Sequence, residues 1–258
     1  MARSPITVKD VKAIELMRDA GSVVALIHAR IEEAIRPGVT TGALDDIARD
    51  TLAELGATSS FLGYHGFPGH ICASVNDEIV HGIPGKRLLK DGDIISIDVG
   101  AIVRGYHGDS AWTYPVGRVS EEASRLLEDT EGALMQAIDA ARSGHRLGAI
   151  GHAVEEYAID RGYGVVREYG GHGIGQQMHE DPHVPNHGQP SQGPRLRTGM
   201  TLAIEPMLTT GGEETVVLAD QWTVVTADGS LAAHFEHTVA IDASGGQILT
   251  QRLASVLQ

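Results

Sequence analysis

Residues 93–114 read DIISIDVGAIVRGYHGDSAWTY, and the alternation within them decides the architecture. Ile95, Ile97 and Val99 fall on one face and Ile94, Ser96 and Asp98 on the other, the period of two that marks a strand. The segment is read as strand, turn, strand. Folding it symmetrically between Val103 and Arg104, beside Gly105, sets Asp98 and Asp109 face to face. Like charges directly opposed in an antiparallel pair, with Cβ atoms about 5 Å apart, are destabilising unless a cation lies between them. The aliphatic neighbours of Asp98 fit a solvated face poorly, so the pair is a candidate metal site.

Working outward, Ile14, Met17, Val24, Ile27, Ile31 and Ile35 recur at helical spacing and predict a helix over 9–36, stopped by Pro37-Gly38. A second helix follows Thr41 as N-cap, with Leu44, Ile47, Ala48, Leu52 and Leu55 inward and Gly56 ending it. Residues 57–92 lack a steady period and read as loop with short strands. Past the hairpin, Ser120 with Glu121 and Glu122 opens a third helix that Gly144 closes, and a fourth covers 147–161. Strand-like segments follow at 165–169, 202–208, 215–218, 221–226 and 231–241, with Asp228-Gly229 as a tight hairpin turn. Helix pairs alternate with sheet segments twice. The expectation is a single α+β domain over 1–258, built from two similar halves, with residues 1–8 flexible.

Composition narrows the function classes. Against 34 Asp and Glu stand 20 Lys and Arg, a net charge of −14, which argues against a broad basic face and hence against DNA as a partner. Cys72 is the only cysteine, so no intrachain disulfide can form. No charge-free run reaches membrane-spanning length and the N-terminal stretch has no apolar signal core, so a cytoplasmic protein without membrane attachment is expected. Glycine at 32 and histidine at 13 of 258 residues point to backbone-lined clefts carrying ligand-type side chains.

Three further residues join the aspartates. His172 stands in Gly170-Gly171-His172-Gly173-Ile174-Gly175, a loop-like run without dinucleotide-fingerprint spacing. Glu205 follows Leu202-Ala203-Ile204 and precedes Met207-Leu208; a carboxylate in so apolar a strand must be paired, protonated or metal-bound. Glu236 lies in the strand-like segment 231–241. Two Asp, two Glu and one His suit ions such as Mn²⁺, Fe²⁺ or Co²⁺ better than a thiolate zinc site does. Four carboxylates suit two ions about 3.5–4 Å apart. His179-Glu180-Asp181-Pro182-His183 matches the zinc motif H-E-x-x-H, but that motif needs a helix, where an interior Pro costs about 3 kcal/mol or more. The segment is therefore read as loop, with His179 beside the His172 run. His81 ends an apolar stretch before Gly82-Ile83-Pro84, and Cys72 is expected to line a pocket. Neither a G-x-S-x-G elbow nor a phosphate-binding loop is present, which leaves serine-hydrolase and nucleotide chemistry unsupported.

In order along the chain, Phe61-Leu62-Gly63-Tyr64-His65-Gly66-Phe67-Pro68, Val80-His81-Gly82-Ile83-Pro84, Ile97-Asp98-Val99-Gly100 with His107-Gly108-Asp109, Gly171-His172-Gly173-Ile174-Gly175, Ala203-Ile204-Glu205-Pro206-Met207 and Glu236-His237-Thr238 resemble the type I methionine aminopeptidases, within the larger pita-bread family that includes prolidase and aminopeptidase P. The resemblance spans nearly the whole chain. It implies a pita-bread fold, with a curved antiparallel sheet, outer helix pairs and pseudo-two-fold halves. It implies two divalent ions (Co, Mn, Fe, Ni or Zn) held by Asp98, Asp109, His172, Glu205 and Glu236. His81 and His179 are implied as catalytic histidines, with Glu205 as proton shuttle.

The same resemblance gives Phe61, Tyr64, Phe67, Cys72, Met178 and Trp222 as a methionine pocket with His65 at its rim. Met178 stands where other members often carry an aromatic residue. The implied activity is removal of the N-terminal methionine from nascent proteins and peptides with a small second residue, by attack of a water or hydroxide bridging the two ions. A monomer with transient ribosome contact is also implied. Two alternatives share the fold. An Xaa-Pro peptidase usually carries an extra N-terminal domain, whereas only 60 residues precede the pocket block here. A non-catalytic binding module would not be expected to keep all five ligands.

Overall fold

The computed structural model of the chain describes residues 6–252. Helices α1 (Val11–Ala34) and α2 (Thr41–Glu54) come first, followed by strands β1 (Thr58–Ser59), β2 (Ile71–Val75), β3 (Glu78–Val80), β4 (Ile94–Val103) and β5 (Tyr106–Pro115). A second helix pair, α3 (Glu121–Ala140) and α4 (Gly148–Ile159), precedes β6 (Gly164–Val165), β7 (Gly170–Gly173), β8 (Glu180–Pro185), β9 (Thr201–Ile204) and β10 (Met207–Thr209). The chain ends with β11 (Thr215–Val217), β12 (Val224–Thr226), β13 (Ala232–His234), β14 (His237–Ile241) and β15 (Gly246–Ile248).

All strand pairs are antiparallel. One sheet runs β1-β4-β2 with β5 on the other side of β4, and a second runs β15-β14-β9-β7-β8. Two small sheets, β13-β10-β6 and β11-β12-β3, complete the set. A continuous apolar core joins α1 (Val24, Ile27, Ile31) to β4 (Ile95, Ile97) and then to α3, α4 and β14 through Leu126, Leu134, Ile150 and Val239. Each fully buried aliphatic side chain contributes roughly 1.5–3 kcal/mol, so this core holds the two halves as one body.

Local chemistry explains the helix ends. Asp10 caps α1, Thr40 caps α2 by accepting from the Ala43 N–H at 3.1 Å, and Ser120 caps α3. The cap of α2 is thus Thr40 rather than Thr41, because the Thr41 hydroxyl accepts instead from the Gly85 N–H at 2.9 Å. Gly56 takes φ +64 just beyond α2, as a helix terminator does.

Several sheet expectations shift. The turn between β4 and β5 is centred on Arg104 and Gly105, with φ +48 and +82, as a two-residue hairpin turn of the mirror-image type requires. The fold point therefore lies one residue later than symmetric folding about the two aspartates predicts. Asp98 opposes Ala111 and Asp109 opposes Gly100, so the carboxylates share a face diagonally rather than head-on. His172 is in strand β7, not a loop. The H-E-x-x-H segment is neither helix nor loop beyond His179, since Glu180 begins β8.

Pairing in 165–169 ends at Val165, and the 202–208 and 231–241 segments are each broken, at Glu205-Pro206 and at Phe235-Glu236. Asp228-Gly229 forms a turn, but it joins β12 to β13, which lie in different sheets, so it closes no hairpin. Of the stretch 1–8, residues 1–5 lie outside the described residues. Ile6 packs against the core, and the Lys9 N–H donates to the Gly199 carbonyl at 2.7 Å. No described helix is long and apolar enough to cross a membrane.

Candidate metal centre and adjoining pocket

The seam between the two halves runs through β5. Thr238 of β14 bonds both sides of the Asp109 peptide, accepting from its N–H at 3.0 Å and donating to its carbonyl at 2.8 Å. Thr113 of β5 does the same to His234, and the Glu236 N–H donates to the Ala111 carbonyl at 2.8 Å. These bonds fix the aspartates of the first half against Glu236 of the second. Glu205 arrives from the facing break: β9 pairs with β14 and β10 with β13, so Glu205-Pro206 and Phe235-Glu236 interrupt two strand pairs at the same level.

His172 reaches the cluster because its glycine neighbours let three strands close up. A Cβ on Gly171 would stand 2.1 Å from the Ala203 carbonyl oxygen, and one on Gly173 would stand 2.3 Å from that of Asp181. The glycines thus serve close sheet packing rather than loop flexibility. Nδ1 of His172 lies 2.9 Å from the Gly173 carbonyl, which can only accept, so the proton sits on Nδ1 and the Nε2 lone pair is free. Nε2 lies 3.8 Å from both Asp109 Oδ2 and Glu205 Oε1.

Four carboxylates meet in this buried space, and among the described residues no Lys or Arg pairs with any of them. Burial pushes Asp98 up to about 7. Burial, reinforced by neighbouring carboxylates, drives Asp109 and Glu236 well above the usual range. Glu205 differs: burial pushes it up, but His234, His172 and His179 around it hold its carboxyl below the ordinary value. Asp98 Oδ1, Asp109 Oδ1 and Glu236 Oε1 are buried with no hydrogen-bond partner. Buried charges demand a compensating charge. Oxygen donors without partners around a free imidazole nitrogen therefore fit divalent cations.

An apolar pocket abuts this cluster by strand register. Cys72 of β2 pairs with Asp98, and Gly100, opposite Asp109, leaves room for Phe61: a Cβ there would stand 2.7 Å from the Phe61 ring. Phe61, Phe67, Cys72 and Met178 form one buried cluster, with Tyr64, Ile83 and Trp222 packed against it. The five acidic and histidine candidates, these pocket residues except Ile83, and His65, His81 and His179 all line one cavity of about 240 Å³. A more open groove of about 600 Å³, lined in part by Leu147, His183 and His187, shares none of the four carboxylates.

His81 takes φ +61, a left-handed backbone uncommon for a non-glycine residue and found repeatedly at functional sites. The next residue fixes that turn: the Ala73 N–H donates to the Gly82 carbonyl at 2.8 Å, and the Gly82 N–H to Ser74 Oγ at 3.0 Å. The His179 ring lies against that of His172, tilted by 48° with ring centres 4.2 Å apart, and its Nδ1 shares a 2.8 Å hydrogen bond with the Tyr64 hydroxyl. Burial and the neighbouring His172 lower His179 to about 4, so its ring is neutral at pH 7.

Comparison with known proteins decides the family. The pattern of Metallopeptidase family M24 matches residues 15–243. Methionine aminopeptidase 1 of Bacillus subtilis is 54% identical over 246 residues, covering 95% of this chain and 99% of that protein. The chain belongs to metallopeptidase family M24. A crystal structure of methionine aminopeptidase from Rickettsia prowazekii superimposes on this M24 chain with a TM-score of 0.94 at 40% identity, covering 96% of this chain and 100% of that one. Prolidase from Pyrococcus furiosus shares the pita-bread fold at 21% identity and a TM-score of 0.78, with 66% of its length covered.

Two residues of the M24 site escape the sequence reading. Ile83 packs against the pocket but looks like part of a turn in sequence. His234 is 1% exposed, with an unpartnered Nε2 3.5 Å from Glu205 Oε2 and 3.9 Å from Glu236 Oε2. In the sequence, the one sign of its role is its place two residues before Glu236, on the same face of an alternating segment.

Proposed function

We propose that this M24 chain is a metal-dependent aminopeptidase that releases the N-terminal methionine from polypeptides with a small second residue. The observation that carries the reading is the register that joins a thioether-sized apolar pocket to four buried carboxylates, Cys72 lying directly against Asp98. A cavity of about 240 Å³ is below the usual size of drug-like sites and suits one residue's side chain rather than a length of peptide.

Asp98, Asp109, His172, Glu205 and Glu236 would hold two divalent ions, of cobalt, manganese, iron, nickel or zinc. Bound there, divalent cations polarise the scissile carbonyl and bring a water's pKa toward neutrality. Glu205, ionised at neutral pH, takes a proton from the attacking water and passes it to the leaving amine. With the Tyr64 hydroxyl donating to Nδ1, His179 keeps its proton on Nε2 and donates it to the oxyanion as charge develops. His81 hydrogen-bonds the scissile amide or the next backbone group. Phe61, Tyr64, Phe67, Cys72, Met178 and Trp222 grip the methionine side chain, each sulfur–aromatic contact contributing about 0.3–1.5 kcal/mol. His65, exposed beside Tyr64, stands at the rim. The carboxylates hold the substrate's α-ammonium, which limits cleavage to the first bond.

The reading has the chain working as a single catalytic domain and a monomer, in the cytoplasm, on nascent polypeptides. Its net charge of −14 favours transient over extensive ribosome contact. The test is release of free methionine from Met-Ala-Ser after chelation and stepwise addition of Mn²⁺ or Co²⁺, with an Ala-Pro peptide as control. Metal-dependent release from the Met peptide alone is expected. Cleavage of only the Pro peptide would move the chain to Xaa-Pro peptidases, and inactivity despite bound metal would make it a binding module.

A further inference from the structure

The five donors above include one imidazole, yet a second is aimed into the same space. His234 ends β13, held at its N–H and carbonyl by the Thr113 hydroxyl, both at 2.9 Å. Its backbone is therefore fixed at the seam between the halves. Its Nε2 is buried and lacks a hydrogen-bond partner, like the carboxylate oxygens around it. The nearest acceptors, Glu205 Oε2 at 3.5 Å and Glu236 Oε2 at 3.9 Å, lie beyond the 2.7–3.2 Å range of an N–H···O bond. Two donors each about 2.1 Å from a shared ion stand about 3.0 Å apart at a right angle and up to about 4.2 Å apart in line. The His234 distances fall in that span, as do the 3.8 Å separations of His172 from Asp109 and Glu205.

We propose that His234 is a sixth metal ligand, giving Nε2 to an ion it shares with Glu205 and Glu236. Two groups of mutually close donors, Asp109–His172–Glu236 and Glu205–His234–Glu236, overlap at Glu236, and Asp98 lines the same cavity beside them. The centre would then have two imidazole donors, with Glu236 common to both groups. A second nitrogen donor shifts the preference of the centre away from hard ions such as Mn²⁺ and toward Co²⁺, Ni²⁺ or Zn²⁺. The proposal rests on the metal-centre reading above, and its test separates the two.

The full chain is loaded with Co²⁺ by equilibrium dialysis, bound metal is counted by mass spectrometry, and proton NMR is recorded in light and heavy water. Imidazoles bound to Co²⁺ give far-shifted, exchangeable N–H resonances, one for each bound ring. Two are expected in the wild type, and one in His234→Gln, whose second Co²⁺ should bind more than about tenfold more weakly. A single shifted resonance in a wild type holding two Co²⁺, or two surviving in His234→Gln, overturns the sixth ligand and leaves the five-donor centre intact. Failure to bind any Co²⁺ overturns both. The wild-type count needs no variant, so a misfolded His234→Gln still leaves the proposal decided.

Discussion

The two halves of the molecule bring carboxylates to the same place by opposite means. In the first, Asp98 and Asp109 sit within uninterrupted ten-residue strands, and a two-residue turn sets their register. In the second, Glu205 and Glu236 sit where strands are broken, each in a two-residue gap between short strands of different sheets. A regular hairpin spaces side chains by register alone, whereas a broken strand can turn a side chain out of the pleat. The centre needs both, because one face of one sheet offers donors only in rows. If Glu236 bridges the halves, Glu236→Ala should lose bound metal and at least about 1000-fold of activity, several kcal/mol of charge stabilisation disappearing with it. The same change should raise the melting temperature of the chelated protein by removing a buried carboxyl whose Oε1 has no hydrogen-bond partner. Retention of two tightly bound ions in Glu236→Ala would break the comparison.

A smaller effect sharpens it. His179 lies outside both carboxylate pairs, and His179→Ala should lower kcat about 100-fold with metal content unchanged, as expected for loss of one oxyanion donor. Loss of metal in this variant would instead make His179 a ligand. Tyr64→Phe should give a weaker form of the same defect, since the hydroxyl only orients the ring.

How much was legible from sequence follows the same division. The hairpin and the four helices could be read because period and caps are local properties. The hairpin's turn lies one residue later, and its register two residues away, from where the aspartates alone place it, because Arg104-Gly105 is the pair that takes two positive φ values. Glu205 was recognisable as a carboxylate in an apolar run, but the break after Ile204 was not, although Pro206 cannot donate to a ladder. His172 was singled out for the wrong physical reason, its glycines serving close packing against β8 and β9. His234 went unnoticed because its environment is made by Thr113, 121 residues away in the chain.

Stability against pH probes the first half without touching the metal donors. His28 of α1 is buried against β5, bonded to the Tyr114 hydroxyl at 3.0 Å and the Ser110 carbonyl at 2.9 Å, and burial lowers it to about 3. The unfolded chain therefore takes up a proton near pH 6.5 that the folded chain refuses until about 3. His28 supports the fold fully above about 6.5, and that support is lost as pH falls toward 3, at about 1.4 kcal/mol per pH unit. In chelated protein the raised carboxyls of Asp98, Asp109 and Glu236 act with the opposite sign, so wild type and His28→Gln are compared by denaturant titration between pH 7 and 4.5, and the stability of wild type relative to the variant should fall with this slope as pH drops. Equal slopes would mean that the ring titrates normally in the folded chain.

The finest contrast lies between the two faces of the hairpin itself. Gly100 of β4 opposes Asp109 on the site face, while Gly108 of β5 faces α1, where a Cβ would meet the Gly21 nitrogen at 2.7 Å. Neither glycine has a positive φ, so an alanine is opposed only by its neighbours. At Gly100 those neighbours are the Phe61 ring and Ser60, and Ser60 is held by its N–H to the Gly100 carbonyl and its hydroxyl to His107 Nδ1. The ring must therefore yield, and it yields within the pocket. Gly100→Ala should raise KM for a methionine peptide several-fold while kcat and metal content stay near wild type, with a stability cost of about 1–3 kcal/mol. Gly108→Ala meets helix backbone that cannot move alone, so it should cost stability without changing KM. A KM change in both variants would mean that strain crosses the hairpin, and that its two faces are not the separate supports for pocket and helix that the register describes.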